Sequence, residues 1–477
     1  IALKDNIHTT NMPTTGGALA FEGFDPPYEA TLVKKLRAAG AVIVSKTVLT
    51  ELANWVAGAP TPMPGNYSAV GGFGMNPYDP RPDPRAGFND GRPVMATGGS
   101  SSGIATSANL AVANIGTETS GSILSPSNQN MLAAVKPTVG LISRHGVIPI
   151  TADQDTAGPM ARTVTDAAIM LGALAGFDRN DPATTTCRAI EDYTRYLKKN
   201  GLRGKRIGIP RANYYEPVAL PMPPGGTAGG LTPDRAALMA EAIEILRDAG
   251  ATIVDPANIP SVVSSDPASN LLLWGICAGA NQAKGLDANC SIVLKYGAKR
   301  DMNAWMDSLG ARSDIDSLTE LRNFNLAHVA DNAIKYGQSR LDISDEMDVA
   351  ADRARYLADR AKDIRLAGTD GIDAAMETHD LDALLFPAAT GADIAARPGY
   401  PTVIVPFGKV DNVPAGIPAG FNPLQQPYGV SFTGMACSEP ALIEMAYAFE
   451  QASRRAGKGR VPPESAPPLP GDVVMRR

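Results

Sequence analysis

Histidine and cysteine are scarce in this chain, with four of each among 477 residues. Cys187, Cys277, Cys290 and Cys437 are scattered without C-x-x-C spacing. That argues against a zinc site and against a disulfide framework, and the cysteines read as four free thiols, mostly buried. The phosphate-binding pattern G-x-x-x-x-G-K-[ST] is absent, so no nucleotide cradle is expected. No metal and no cofactor is implied. No block of five or more basic residues occurs and the net charge is −6, which speaks against nucleic acid as a partner. No apolar run approaches the ~18 residues of a membrane span.

What is present describes a soluble globular protein: 44% hydrophobic and 19% charged residues, with 47 glycines and 39 prolines that imply many ordered loops. The length allows one large core or two to three ordinary domains. The chain opens directly on apolar Ile1-Ala2-Leu3, so the natural N-terminus is expected to lie upstream. The compartment stays undecided on that account, with the cytoplasm favoured.

Ile1 to His8 reads as a short strand carrying Lys4 among apolar neighbours. Such a lysine is either a snorkelling side chain at a strand end or a desolvated amine that works as a base near neutrality. Tyr28 to Ala39 has a helical apolar period closed by Gly40, Ala41 to Val44 reads as a buried strand, and Thr50 as the N-cap of a helix over Glu51 to Val56. This alternation predicts an α/β architecture. Residues 58–97 are rich in Gly, Pro, Asn and Asp but interspersed with Tyr67, Phe73, Tyr78 and Phe88, the pattern of an ordered lid or binding loop. Further on, helices are expected over Val164 to Gly176, from Pro233 to before Gly250, and over Glu439 to Ser453. Strands are expected at Arg206 to Pro210, Ala251 to Val254, Leu381 to Pro387, Pro401 to Pro406 and Gly429 to Phe432. Residues 257–370 form a largely helical excursion with Trp274 and Trp305, expected to help build a substrate wall. A Pro-rich tail over 457–477 has no core of its own. No internal repeat is present.

The stretch from Gly98 to Pro126 holds two serine clusters among glycines, Gly98-Gly99-Ser100-Ser101-Ser102-Gly103 and Thr119-Ser120-Gly121-Ser122, separated by a small-residue segment, Ile104 to Ala113, that reads as a helix. Gly/Ser-rich runs are most often turns or linkers. Here glycine lets backbone N–H groups crowd a reacting oxygen, and a tight turn at 119–122 would present Ser122 beside free donors, the layout of a nucleophile next to an oxyanion hole. Ser122 sits in S-G-S-I rather than in a G-x-S-x-G elbow. A relay through His8, His145, His328 or His379 stays geometrically open, because triads assemble from distant residues.

These motifs resemble the amidase signature family of serine amide hydrolases: G-G-S-S-S-G, then G-T-E-T-S-G-S-I over 116–123, K-P-T-V-G-L-I-S-R over 136–144, and D-x-x-G-P-M-A-R-T-V-x-D over 155–166. Leu384 to Pro387, Gly399-Tyr400-Pro401 and the Gly429 strand leading to Glu450-Gln451-Ala452 follow in the family's order, so the resemblance covers nearly the whole chain and is weakest in 257–370. It implies one amidase signature domain over 1–477, a large mixed β-sheet covered by helices. It implies a triad in which neutral Lys4 draws a proton from Ser100, which draws one from Ser122. It also implies an oxyanion hole from the N–H groups of Thr119, Ser120, Gly121 and Ser122.

Three departures from the family pattern matter. The interval from Ser100 to Ser122 is somewhat short, which leaves Ser101 as an alternative bridge. Ser120 stands where many members have glycine. Leu124 stands where many have arginine, which suggests an apolar surround and places the resemblance closest to the aryl acylamidase and peptide amidase branch. Glu118, Asp155, Arg162 and Asp166 read as structural ion pairs and caps, and Lys136 as the end of a strand rather than the base. The expected substrate is a small apolar or aryl amide, with carbamates as a close variant, and the expected assembly a monomer or homodimer. The alternative is the glutaminase subunit of a transamidation complex. A third reading, an idle binding protein on the same fold, is disfavoured by the presence of Lys4 and both serines.

Overall fold

The computed structural model describes residues 1–99, 103–277 and 287–467. One ten-stranded sheet runs through the molecule. Its strands in chain order are β1 (Ala2–Lys4), β2 (Ser45–Thr47), β3 (Ala113–Glu118), β4 (Ala133–Lys136), β5 (Thr156–Ala161), β6 (Arg206–Gly208), β7 (Thr252–Val254), β8 (Ala383–Pro387), β9 (Thr402–Val410) and β10 (Gln426–Thr433). Their spatial order is β7-β6-β8-β10-β9-β4-β5-β3-β1-β2. Both ends of the sheet are parallel, β7-β6-β8 and β3-β1-β2, while the pairings between them are antiparallel. The mixed α/β sheet expected from the sequence is thus present. The central strands are buried along both faces and accordingly read as runs such as A-L-L-F-P in β8, as strands covered by helices do.

Helices cover the sheet. Helix α1 (Thr31–Ala38) buries Leu32, Val33 and Leu36. A short helix, α2 (Leu124–Gln129), follows β3. In α3 (Val164–Leu174) the Thr163 hydroxyl accepts the Asp166 amide and donates to its carboxylate, a reciprocal cap. Helix α4 (Pro233–Asp248) has proline in its first turn, where the missing N–H costs nothing. The excursion contributes α5 (Val293–Leu309), α6 (Leu318–Ala327), α7 (Ser339–Asp345) and α8 (Arg353–Ile364), and the last helix is α9 (Glu439–Arg455). A second apolar cluster, with Phe21, Trp305, Met306 and Leu341, ties the excursion to the segment after β1. Among the described residues no helix is long and apolar enough to cross a membrane.

Several local expectations are overturned. Ala41 to Val44 is not a strand: Val42 and Val44 are 73% and 56% exposed, and the pairing with β1 begins at Ser45. The segment from Ile104 is helical only to Ser107, because the chain must turn to enter β3 at Ala113. The helix after Thr50 lasts a single turn, with Leu52, Ala53 and Asn54 at positive φ, and Thr50 does not cap it. Its hydroxyl instead accepts the Asn66 amide and donates to the Gly99 carbonyl. The cysteines are not free thiols. Cys187 pairs with Cys437 and Cys277 with Cys290; spacing gave no hint of the first pair, whose partners lie 250 residues apart.

The loop over 58–97 is held by three Asp-x-Arg pairs, Asp79–Arg81, Asp83–Arg85 and Asp90–Arg92. Arg85 and Arg92 also pack over Phe88. Asn76 donates to the carbonyls of Ala96 and Gln129, and Asn130 to that of Thr97, so the loop delivers Gly98 and Gly99 to the N-terminal end of α2. The described part of the tail lies across the same region: Tyr78 donates to the Val461 carbonyl and Asn109 to that of Pro467.

Candidate active site

The site is built on the ends of two adjacent strands. β1 pairs with β3 in parallel, Leu3 beside Ile115, which brings the Lys4 side chain next to Thr117. The Lys4 ammonium is fully buried and donates to Thr117 Oγ1 at 2.7 Å and to the Thr117 carbonyl at 3.2 Å. Thr117 Oγ1 also accepts from Asn6 Nδ2. Burial lowers the Lys4 pKa to about 7, against the pull of the Asp155 and Glu118 carboxylates, which raise it. Desolvation therefore dominates, and the amine can exist neutral at ordinary pH.

After β3 the chain turns through Thr119-Ser120-Gly121-Ser122 into α2. Gly121 adopts φ +91°, which a side chain would strain. Glu118 Oε2 accepts the amides of Ile123 and Leu124, at 2.6 and 2.9 Å, and so fixes the turn to the strand that precedes it. The Ser125 amide bonds back to the Gly121 carbonyl as α2 begins. Among the described residues, the N–H groups of Thr119, Ser120, Gly121 and Ser122 donate to no protein acceptor. That leaves donors for an oxygen the protein does not supply.

Gly98 and Gly99 ride directly over this turn. A Cβ on Gly99 would stand 2.8 Å from Ser122 Cα, and one on Gly98 2.5 Å from the carbonyl carbon of Ser125. The glycines of the first cluster are thus required by a close backbone approach. Ser100 and Ser101 lie outside the described residues.

Asp155 sits behind the turn. It accepts the Thr119 hydroxyl and the amides of Ile150 and Thr151, and burial raises its pKa to about 7. Glu118 and Asp155 accept backbone amides, as anticipated for caps, while the Asp166 carboxylate accepts the Thr163 hydroxyl, and none of the three forms an ion pair among the described residues. Arg162 donates to the Ala111 carbonyl instead. Lys136 ends β4, buried, with its ammonium on the Tyr400 carbonyl. The histidines lie elsewhere. His8 is buried against Trp305, whose indole N–H it accepts, and its pKa falls to about 3. His145 stacks on Tyr28 and His328 on Phe324. No described histidine hydrogen-bonds Ser122.

Ser122, Ser120 and Thr119 open onto a cleft of about 180 Å³. Its other described walls are Ala53, Asn54 and Trp55 from the left-handed turn, Ile150, Ile276 and Leu294, and Arg340 from α7. The helical excursion does contribute to this wall, as expected, but through Ile276, Leu294 and Arg340 rather than Trp274 or Trp305. Leu124, whose identity suggested an apolar surround, is fully buried with Ile123, Leu132 and Ile404. It does not line the cleft, so its side chain carries no information about the cleft's polarity. Sequence reading missed Trp55 and Arg340. No motif marks them, because a fold-wide turn and a distant helix bring them here.

A family model described as Amidase matches residues 1–443. A probable amidase of Arabidopsis thaliana is 32% identical over 460 residues, 95% of this chain and 76% of the relative. One component of the glutamyl-tRNA(Gln) amidotransferase of Thermosynechococcus vestitus is 30% identical over 95% of this chain and 83% of its own. The solved structure of the native peptide amidase from Stenotrophomonas maltophilia superposes with a TM-score of 0.75 at 38% identity, covering 98% of this chain and 84% of that one.

Proposed function

Because the chain belongs to the amidase family, whose members hydrolyse amide C–N bonds, we propose that it cleaves small apolar or aryl amides by acylating Ser122. Lys4, as the neutral amine, takes a proton from the Ser100 hydroxyl as Ser100 takes the Ser122 proton. Ser122 Oγ attacks the carbonyl carbon, and the oxyanion is held by the N–H groups of Thr119, Ser120, Gly121 and Ser122. Collapse breaks the C–N bond, and the relay returns the proton to the leaving amine. Water then resolves the ester to the carboxylic acid and free Ser122. A carbamate carbonyl fits the same sequence of steps.

The observation that carries this reading is a single juxtaposition. A turn with uncommitted amides presents Ser122 to a cleft at the end of β3, and a buried, deprotonatable Lys4 lies against that same strand. Gly99, the residue before Ser100, packs on Ser122, which supports Ser100 as the bridge. The apolar side chains Trp55, Ile150, Ile276 and Leu294 support an apolar or aryl substrate. The test is hydrolysis of an acyl 4-nitroanilide and of an aryl carbamate by wild type and by Ser122→Ala. Turnover lost in the variant is expected, and the ratio of the two rates ranks the substrate classes. Equal rates in both proteins would overturn the Ser122 assignment. Glutamine hydrolysis appearing only beside a partner protein would favour transamidation instead.

A further inference from the structure

We propose that Arg340 is a specificity residue that captures a carboxylate on the substrate at the end of the cleft away from the scissile bond, so that the preferred amides are monoanionic. The inference rests on the amide-hydrolase reading above and adds a substrate class to it.

Arg340 is the one charged side chain among the described residues lining the cleft. No carboxylate pairs with it among the described residues. Among those residues the part-buried Arg144 is held by Asp181 and the buried Arg397 by Asp363, whereas the part-buried Arg340 has no such acid. A guanidinium carries five N–H donors in a planar fork. In Arg340 the Nη1 group donates to the Asn54 carbonyl, Nε is buried with no acceptor, and Nη2 has no protein acceptor among the described residues. The plane packs over the Trp55 ring at 5.2 Å from its centroid, which fixes its orientation without satisfying its charge. Desolvation lowers its pKa, the mark of a cation placed where water is scarce and no anion compensates. Burying a charge without a partner is costly, and a substrate carboxylate would supply the missing acceptor in a bidentate pair. Leu124 cannot oppose this, since it faces the core. Among the described residues, the acids that touch the Ser122 turn are all engaged: Asp155 by the Thr119 hydroxyl, Glu118 by the amides of Ile123 and Leu124, and Asp393 by the Ser120 hydroxyl and Arg397.

Two matched pairs test the proposal: succinyl against butyryl 4-nitroanilide, with the carboxylate on the acyl side, and N-butyryl-4-aminobenzoate against N-butyryl-4-toluidine, with it on the amine side. Wild type is expected to favour the anionic member of one pair by about 10–100-fold in kcat/KM, chiefly through KM. Arg340→Gln is expected to bring that ratio to about one, with Arg340→Lys recovering part of it, since an ammonium keeps the charge but not the fork. Arg340→Met, which keeps an apolar stem over Trp55, should match Arg340→Gln and guards against a variant that merely misfolds. A ratio near one for both pairs in wild type, or one unchanged in Arg340→Gln, overturns the inference. Calorimetric binding of succinyl 4-nitroanilide and of N-butyryl-4-aminobenzoate to Ser122→Ala and to Ser122→Ala/Arg340→Gln reads carboxylate capture without turnover. Failure of the hydrolase reading therefore shows as binding without hydrolysis. Failure of this inference alone shows as hydrolysis of the neutral anilide with no binding preference for the anion.

Discussion

The hydroxyl of Thr119 donates to the carboxylate of Asp155 at 2.5 Å, which couples the turn carrying Ser122 to a buried acid that also raises the pKa of Lys4. Asp155→Asn can keep a bond to Thr119, because the hydroxyl can accept from an amide as well as donate, while removing the charge. With that charge gone, the Lys4 pKa falls further below about 7. The acid limb of kcat/KM, expected near pH 7 in wild type, should shift to lower pH in Asp155→Asn. A pH–rate profile on a 4-nitroanilide checks this; a limb that stays in place would mean that Lys4 is not the group titrating.

Lys4→Met should lower kcat by about 10²–10⁴-fold and remove the same limb. Its stability should respond in the opposite sense. The folded pKa of Lys4 is depressed from 10.5 to about 7, so between those values the unfolded chain binds more protons than the folded one, and wild-type stability rises with pH across that window on account of this residue. The advantage of Lys4→Met in urea midpoint should therefore be largest below pH 7 and shrink toward pH 10. Denaturation curves at pH 6, 8 and 10 measure it.

Gly99→Ala should reduce activity more than a surface substitution would, because its Cβ would meet Ser122 Cα at 2.8 Å. The contact is backbone, so the turn itself must shift. Overpacking of this kind typically costs about 1–3 kcal/mol. Thermal melting alongside anilide kinetics separates the two losses. Gly275→Ala, where a Cβ would meet nothing within 4 Å and φ, as at Gly99, is not positive, is the control for stability.

Replacing Cys187 and Cys437 together by serine should destabilise the fold by about 2–5 kcal/mol, because their bond closes a long stretch of chain. At least that loss should appear in wild type treated with a reductant, which would open Cys277–Cys290 as well. Guanidinium unfolding with and without reductant checks it, and a double variant as stable as wild type would show that the bond constrains nothing the fold does not already fix.

The parts of this molecule that depend on local pattern are legible in its sequence. β8 and β10 stand out as short apolar runs between turn residues, and α3 and α4 as helices with capping residues at their starts. The turn over 119–122 is legible because Gly121 among serines marks a tight local turn. Parts that depend on the arrangement of distant segments are not. Ala41 to Val44 looks like a strand but lies outside the sheet, because pairing with β1 begins only at Ser45. Cys187 and Cys437 give no hint of each other across the chain. Leu124 suggests an apolar surround for the site, whereas its side chain packs into the core with Ile123 and Leu132. Arg340 carries no motif, and only the folding of α7 against Trp55 brings it to the cleft.

The bond between Cys187 and Cys437 makes the backbone a linear arm followed by a macrocycle. β1 to β5 all lie on the arm and β6 to β10 all lie inside the cycle. In the sheet the two sets do not interleave: arm strands fill one side, cycle strands the other, and they meet at a single seam where Thr402, Val403 and Ile404 pair with Lys136, Val135 and Ala134. Lys4 and Ser122 belong to the arm, and Ile276, Leu294 and Arg340 to the cycle. The proposed acylation machinery is therefore carried by the arm alone, while the cleft wall draws on both parts, Trp55 and Ile150 from the arm and Ile276, Leu294 and Arg340 from the cycle. A proteolytic nick anywhere within the cycle would leave every strand covalently attached until the disulfide is reduced.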